Sequence, residues 1–154
     1  MLDLSLHVLD IVENAVRARA RAVWVRIAED RNEDLLTLTI EDDGEGMDPL
    51  TLKKAADPFF TTQSKKKTGL GLSLLAQSAK EAEGKLTLKS RRGAGTQVTA
   101  TFRLSHIDLR PLGDMETTLK CLRATHPEIT FHYEYSTRVG GDGGEVNPHG
   151  PRLW

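Results

Sequence analysis

The chain has 154 residues, of which 38% are hydrophobic and 28% charged, and its net charge is −1. This length suffices for one domain with a real core and a small appendage, and the composition is typical of a globular protein. A charge this close to zero argues against a duplex nucleic-acid binder, whose affinity depends on neutralising phosphates with a basic face. We therefore expect neither DNA nor RNA as a partner.

The cysteine count and the first residues bear on the cellular compartment. Cys121 is the single cysteine of the sequence, which excludes an intrachain disulfide and is typical of a small buried thiol in a reducing compartment. Residues 1–7 lack a basic region followed by an apolar block, and no run is long enough to cross a bilayer. The sequence predicts a cytoplasmic protein without a membrane segment.

The first predicted helix runs from about Leu4 to Ala20. Its polar stripe includes Asp10, Asn14 and Arg17, so that a carboxylate, an amide and a cation follow one another at helical spacing. A polar stripe normally faces water. An acid and an amide oxygen on one face also suit a hard cation, and a nearby arginine suits an anion, so this set fits a magnesium triphosphate. The apolar stripe of the same helix comprises Leu2, Leu6, Leu9, Val12 and Val16.

Two strands and an acidic, glycine-containing turn follow. Residues 22–28 and 35–41 have the pattern of a hairpin across a polar turn, and the second strand leads into Asp42-Asp43-Gly44-Glu45-Gly46-Met47. Glycines let the backbone approach a flat ligand, and a carboxylate just before them accepts a hydrogen bond from an exocyclic amine such as that of adenine. An ordinary Asp-Gly turn is the alternative.

The stretch from Asp57 to Leu75 favours a nucleotide most directly. An aromatic corner at 58–60 runs into a lysine-bearing loop, and Gly69 and Gly71 come directly before a leucine-spaced helix. Helix N-termini present unpaired N–H groups, and glycine lets an anion come close, so we expect a mobile flap that leads into a phosphate cradle. A merely solvated lysine loop is the alternative. The residues expected to contact the nucleotide here are Phe60, Thr61, Thr62, Lys65, Thr68, Gly69, Leu70, Gly71 and Leu72.

The remaining elements complete an α/β pattern. Residues 49–56 form a short predicted helix, and a helix over 70–83 is stopped by Gly84. Strands over 85–90 and 96–104 form a second predicted hairpin. The order of helix, two strands, short helix, flap, helix and two strands predicts a two-layer α/β sandwich, with helices on one face of a mixed sheet.

Together these motifs resemble the ATP-binding domain of the GHKL superfamily, which includes gyrase-type topoisomerases, heat-shock chaperones, histidine kinases and mismatch-repair ATPases. The resemblance covers about residues 4 to 104 and implies a Bergerat-type ATP-binding fold. Residues 10–18 match its N box, which implies that Asn14 coordinates Mg²⁺. Residues 42–46 match its Asp-x-Gly-x-Gly box, which implies that Asp42 receives the adenine amine, with Gly44, Gly46 and Met47 beside the base.

Three further matches favour the histidine-kinase branch. Residues 57–60 resemble its aromatic F box, residues 68–72 its second glycine box, and residues 93–96 its last, where Thr96 supports the adenine contact. Arg17 also fits kinases, which carry a basic residue there. No structural metal is expected beyond Mg²⁺ borne by the nucleotide, because the histidines lack ligand spacing.

Asp10 departs from both patterns of the superfamily, since hydrolysing members carry glutamate there and histidine kinases usually carry asparagine. An aspartate carboxylate falls about 1.3–1.5 Å short of a glutamate carboxylate, and misplacement of about 1 Å costs roughly 10²-fold in rate, so we expect slow intrinsic hydrolysis. No helix with a phosphoacceptor histidine precedes the N box, and His7 does not match an acceptor motif. We therefore expect γ-phosphoryl transfer to a separate protein.

Two alternatives to that function remain open at this stage. One is a nucleotide-gated binding module of the anti-sigma-factor kinase type, in which flap closure changes a partner surface. The other is a slow ATPase with Asp10 as its base. Sequence leaves the acceptor and the oligomeric state undecided.

Residues 105–154 carry no motif of the superfamily. A helix with Met115, Leu119 and Leu122 and a strand with Phe131 and Tyr133 on one face are predicted within 105–137, and we expect them to extend the same domain. Extension of the core is preferred to a separate partner surface. Residues 138–154 are rich in glycine and proline and are expected to form a loose tail.

Overall fold

The computed structural model describes residues 4–50, 67–106, 115–138, 145–146 and 152–153. Pro49 and Leu50 are helical, and the rest of the short helix predicted after them lies outside the described residues, as does the aromatic corner of the expected flap. The helices and strands, in chain order, are α1 (Leu4–Arg17), β1 (Ala22–Asp30), β2 (Leu35–Asp42), α2 (Lys67–Glu81), β3 (Leu86–Arg91), β4 (Gly95–Arg103), a 3₁₀ turn (Leu104–His106), α3 (Met115–Thr125), β5 (Thr130–Arg138), β6 (Glu145–Val146) and β7 (Arg152–Leu153).

The strands form one mixed sheet in the order β3-β4-β2-β1-β5-β6, and β7 also pairs with β5. Strand β2 is antiparallel to both β1 and β4, whereas β1 and β5 run parallel over their whole length. Side chains from α1, α2 and α3 share one hydrophobic cluster with the strands. The expected two-layer α/β sandwich is therefore confirmed, with these helices on one face of the sheet.

Alternation along the strands decides which side chains meet the helices. Every second residue of β1, β2 and β4 is buried, because successive side chains of a strand point to opposite faces. The opposite face carries polar side chains, among them Arg26 and Glu41, which form an ion pair of 2.8 Å. The largest fully buried side chains are Phe102, Phe131, Ile27, Leu36, Leu38, Ile40, Leu75, Met115, Leu119, Val8 and Val12.

Helix α1 ends three residues earlier than predicted, at Arg17 rather than Ala20. The N–H group of Ala20 donates to the carbonyl of Ala15 over 3.0 Å, and Arg19 adopts a φ of 61°. This arrangement is a Schellman motif, which closes a helix by turning the chain through the left-handed region. Nothing in the local sequence marks this end, since it has neither glycine nor proline. The carbonyl of Ala18, just past the last residue of α1, accepts a hydrogen bond of 2.8 Å from Glu45.

Helix α2 begins at Lys67 and ends at Glu81, three residues before the predicted start and two before the predicted end. Gly69 and Gly71 therefore lie within its first turns, and the prediction of a glycine loop directly before the helix was wrong. Glycine costs about 1 kcal/mol in a helix interior, but the first-turn N–H groups have no acceptor within the helix in any case. The leucine-rich sequence that follows extends the helix back over these residues.

The region after residue 106 adds α3 and β5 to the same sheet and core. Ala22 pairs with Thr130 and Asp30 with Arg138, so β5 covers the full outer edge of β1. Burial, together with the nearby charge of Glu116, raises the pKa of the Tyr133 phenol to about 12. Phe131 and Tyr133, on the inner face of β5, are both buried in the core.

Two expectations for the C-terminal region need correction. Cys121 is exposed rather than buried, because Leu119 and Leu122 occupy the core-facing side of α3 and residue 121 falls between them. The expected loose tail contributes two short strands, β6 and β7, which pair with β5. Pairing satisfies backbone groups that the outer edge of β5 would otherwise expose.

Within the described parts of the chain, no helix combines the length and the apolar character that a bilayer crossing requires.

Phe131→Ala should lower the free energy of unfolding by about 3–5 kcal/mol, because it leaves a cavity in the core. His132→Ala, one residue further along β5, should cost only about 0.5–1.5 kcal/mol, since it removes a stacked contact with Trp24 on the opposite face. Urea unfolding followed by circular dichroism measures both. Equal, small losses would show that β5 does not belong to the cooperative core.

Candidate functional site

Three polar side chains form a row across the helix-facing side of the sheet, where three strands end or begin. Asp42 on β2 pairs with Thr96 on β4, and Thr96 pairs with Ser90 on β3. Because alternate residues of a strand face the same way, this row continues the face that carries the buried side chains of Ile40 and Val98. The partly buried side chain of Leu88 lies on the same face. The row therefore lies between the sheet and the helix layer.

Asp42 is a partly desolvated carboxylate. Its Oδ1 accepts a hydrogen bond of 2.8 Å from the Gly44 N–H group. Burial raises the pKa of Asp42 above its ordinary value, and the nearby charges of Asp43 and Glu41 act in the same direction, while backbone hydrogen bonds from Gly44 and Thr96 oppose the rise. A carboxylate has about four lone-pair directions, so acceptor capacity remains for a donor on a ligand.

Ser90 stands at the centre of a small hydrogen-bond network. Its Oγ lies 2.8 Å from the Met47 nitrogen, 2.8 Å from the Gly95 carbonyl oxygen and 2.8 Å from Thr96 Oγ1. Met47 is thereby held by its backbone, at the end of the turn that follows Asp42. The network joins both glycine-containing turns of the site.

Glycines allow close backbone approach at this end of the sheet. A Cβ atom at Gly46 would overlap the carbonyl of Arg91, and one at Gly95 would overlap the carbonyl of Asp42. Both residues also have positive φ angles, 72° and 105°. A Cβ atom at Gly44 would come within 2.7 Å of the Ala18 carbonyl oxygen. Any larger residue at these three positions would push the turn away from its neighbours.

Helix α1 is attached directly to the turn at 42–46. The Glu45 N–H group donates to Ala18, and Asp43 Oδ1 accepts from the backbone nitrogens of Arg21 and Ala22 at 2.7 and 2.9 Å. The carbonyl of Asn14 accepts from the Ala18 nitrogen over 3.0 Å, which places Asn14 one helical turn from this attachment. The two parts of the site expected to hold the base and the metal are thus adjacent.

The expected polar stripe of α1 has a defined geometry. Asp10 and Arg17 are exposed, and Asn14 is half-buried. Arg17 donates from its Nη1 to Asn14 Oδ1 over 3.4 Å, a long and weak hydrogen bond. His7, one turn before Asp10, lies with its Nε2 3.1 Å from Ser78 Oγ and so connects α1 to α2.

Little of the expected flap lies among the residues that the structure describes. Four of its expected contact residues, Phe60, Thr61, Thr62 and Lys65, lie outside the described residues. Thr68, Gly69, Leu70 and Gly71 belong to the backbone of the first turns of α2. Leu72 is buried in the hydrophobic core.

Residues 2–106 match the family described as histidine kinase-, DNA gyrase B- and HSP90-like ATPases. The chain belongs to this ATPase family. The match confirms the GHKL resemblance, and the family implies an ATP-binding domain. It ends at the 3₁₀ turn, so α3 and β5 lie beyond the family's own region.

Curated relatives agree with the kinase branch of the GHKL family. The chain is 39% identical over 109 residues to the sensor protein kinase FleS of Pseudomonas aeruginosa, which covers 71% of the chain and 26% of that protein. It is 35% identical over 105 residues to the sensor protein kinase PilS of the same organism, covering 65% of the chain and 20% of that protein. Sporulation kinase C of Bacillus subtilis is 31% identical to the chain over 88 residues, which cover 57% of the chain and 20% of that protein. The chain thus spans about a fifth to a quarter of these relatives.

Two residues of the candidate site, Asp43 and Ser90, were not predicted from the sequence. Asp43 was treated only as part of the glycine-containing box, although its carboxylate ties β1 to the turn. Ser90 was assigned to an alternating strand with no role. The signal that would have found it is the hairpin register, which sets Ser90 directly opposite Thr96.

Gly46→Ala should lower the free energy of unfolding by more than Gly93→Ala. Gly93 has a φ of 83° but no atom within 4 Å of a built Cβ, so its substitution carries only the cost of a left-handed backbone, about 1–2 kcal/mol. Gly46 adds an overlap with Arg91 to the same cost. Urea unfolding of the two variants measures the difference, and equal losses would contradict the close approach.

Proposed function

We propose that the chain binds Mg²⁺-ATP and transfers the γ-phosphoryl group to a separate protein. The observation that carries this proposal is the placement of Asp42, a desolvated acceptor beside close-approach glycines, next to the helix that bears Asn14 and Arg17. ATP as the substrate implies a cytoplasmic reaction.

The adenine would lie against the row of Asp42 and Thr96. An ionised carboxylate accepts strongly from an exocyclic amine, and hydrogen bonds to charged groups are worth about 1.5–3 kcal/mol. Gly44 lies beside the carboxylate, where a Cβ atom would come within 3.0 Å of Asp42 Oδ1, and Gly46 fits tightly against Arg91. The Met47 nitrogen is held next to them by Ser90 Oγ. The carboxylate of Asp42 and the hydroxyl of Thr96 therefore fit a flat base whose edge carries hydrogen-bond donors.

The residues present also fit a nucleotide-borne magnesium ion. Mg²⁺ is usually held by one or two protein oxygens together with phosphate oxygens and waters, and Asn14 Oδ1 supplies such an oxygen. No group of three or more His, Cys, Asp or Glu side chains suited to a metal occurs among the residues that the structure describes. When bound, the ion would neutralise charge on the phosphates.

Arg17 would hold the phosphate end of the substrate. Its exposed guanidinium is beside Asn14, so it needs only a change of rotamer to meet a phosphate oxygen. Charge stabilisation and positioning are the main requirements of phosphoryl transfer. Asp10, exposed one turn before Asn14, would orient a water or an acceptor group, and its short side chain favours slow hydrolysis.

An acceptor on another protein agrees with the sequence, in which His7 does not match an acceptor motif. In the structure His7 Nε2 lies 3.1 Å from Ser78 Oγ, His126 lies 3.9 Å from Glu13 and 3.6 Å from Glu128, and His132 stacks on Trp24.

The affinity for ATP should fall as the pH is lowered, and Asp42→Asn should weaken ATP binding about 10- to 100-fold at neutral pH. The pKa of Asp42 is raised in the folded chain, so protonation of Asp42 stabilises the folded state. This contribution to the free energy of unfolding is present at low pH and is lost as the pH rises through the pKa of Asp42 in the folded chain. The amine of adenine needs the ionised form, so affinity rises over the same window.

Inosine triphosphate, which carries a carbonyl oxygen in place of the amine, is the matched control. Its affinity should change with pH in the opposite direction, because only protonated Asp42 donates to that oxygen. Calorimetric titrations of both nucleotides from neutral pH downwards measure this. Parallel pH profiles would place the base elsewhere.

Incubation of the chain with γ-³²P-labelled ATP and a lysate of the source cells should label a second protein. Asn14→Ala should lower labelling by about 10²–10³-fold, the usual cost of removing one charge-stabilising group. Asp10→Asn should keep the labelling and lower the slow release of free phosphate. Acid-labile label indicates phosphohistidine, and acid-stable label indicates phosphoserine or phosphothreonine.

Two outcomes would contradict phosphoryl transfer. Free turnover of ATP without any labelled protein, lost in Asp10→Asn, would indicate an ATPase. Nucleotide binding without turnover or label, combined with a partner captured only in the presence of ATP, would indicate a nucleotide-gated binding module.

A further inference from the structure

Among the described residues, the hydroxyl group of Ser90 has three polar neighbours, but it carries only one proton. They are the Met47 N–H group, the Gly95 carbonyl oxygen and the Thr96 hydroxyl, each at 2.8 Å. The first can only donate and the second can only accept. Two oxygens at this separation need a proton between them, since otherwise their lone pairs face each other.

This inventory fixes every proton of the network. Ser90 must donate its proton to the Gly95 carbonyl, because that oxygen has none to give. Ser90 Oγ therefore accepts from Met47, and it must also accept from Thr96. The Thr96 hydroxyl proton points towards Ser90, and the lone pairs of Thr96 Oγ1 are left for the other side.

We infer that Ser90 is a residue that determines base specificity, acting by orienting the Thr96 hydroxyl as an obligate acceptor. This inference rests on the proposed ATP site. With Thr96 so oriented, the row presents acceptors only, the carboxylate of Asp42 and the oxygen of Thr96. A purine edge that carries an amine satisfies both, whereas a carbonyl oxygen at that position meets lone pairs.

Without Ser90 the threonine hydroxyl would be free to turn. Rotation about the Cβ–Oγ1 bond is easy, and a hydroxyl donates as readily as it accepts. Thr96 would then donate to a purine carbonyl, and the preference for ATP over inosine triphosphate would be reduced. Ser90 does not touch the base in this account, so it is a positioning residue.

The test compares the dissociation constants of ATP and inosine triphosphate at neutral pH, by calorimetry, for the wild-type chain and Ser90→Ala. The wild-type chain should prefer ATP. Ser90→Ala should lower the ratio of the dissociation constants of inosine triphosphate and ATP by about 3- to 10-fold, because inosine triphosphate binds more tightly. This change corresponds to the contribution of one neutral hydrogen bond. Ser90→Thr keeps the hydroxyl and should restore the wild-type ratio.

Thr96→Val provides a second, independent variant if Ser90→Ala disturbs the fold, which circular dichroism detects. It should weaken ATP, whereas inosine triphosphate loses only the lone pairs that face its carbonyl. In the Thr96→Val background, adding Ser90→Ala should bring no further gain in affinity for inosine triphosphate, because no hydroxyl remains to donate. A further gain in the double variant over Thr96→Val would overturn the inference.

The remaining outcomes separate this inference from the proposed function. Equal weakening of both nucleotides in Ser90→Ala, with an unchanged ratio, would mean that Ser90 only supports the turns, and the inference fails. A wild-type chain that binds both nucleotides equally would also overturn it while leaving nucleotide binding intact. A wild-type chain that binds neither would remove the proposed function and this inference together.

Discussion

A single backbone hydrogen bond, from Glu45 to the carbonyl of Ala18, joins the helix that carries Asn14 to the turn that carries Asp42. Ala18 lies just past the last residue of α1, so the bond fixes the turn against the end of the helix. Gly44 fits against the same carbonyl, and Asp43 holds the start of β1 beside it. The spacing between the ends of the candidate site is therefore set by main-chain geometry, which tolerates little adjustment.

The row at the sheet end illustrates how a site is kept polar inside a dry layer. Asp42 is held partly desolvated, which works against its ionised form, and backbone N–H groups of Gly44 and Thr96 only partly offset that effect. The Ser90 hydroxyl completes the row, because it accepts from Met47 in one turn and donates to the Gly95 carbonyl in the other. Such a network is stable only when all of its members are paired, and it is rigid for the same reason. Rigidity of this kind suits the recognition of a flat base.

The sequence predicts the motifs of the candidate site more directly than the ends of its helices. Asp42 is a candidate because acids and glycines after a strand form a local pattern with a direct chemical meaning. The end of α1 was not predicted, since neither glycine nor proline marks the Schellman motif that closes it at Arg19. Periodicity located β5 but not its parallel partner β1, because alternation reveals a face and says nothing about which edge a strand joins. Ser90 required the register of two strands, which composition alone does not give.

The parallel pairing of β1 with β5 has a consequence for the order in which the protein is made. Ala22 leaves the ribosome long before Thr130, its partner, has been synthesised. Until then β1 has one exposed edge, and exposed strand edges are prone to pair with other chains. Contacts so distant in sequence also form slowly, since a long loop must close first. A nascent chain that stalls before residue 130 should thus be a target for chaperones that shield strand edges.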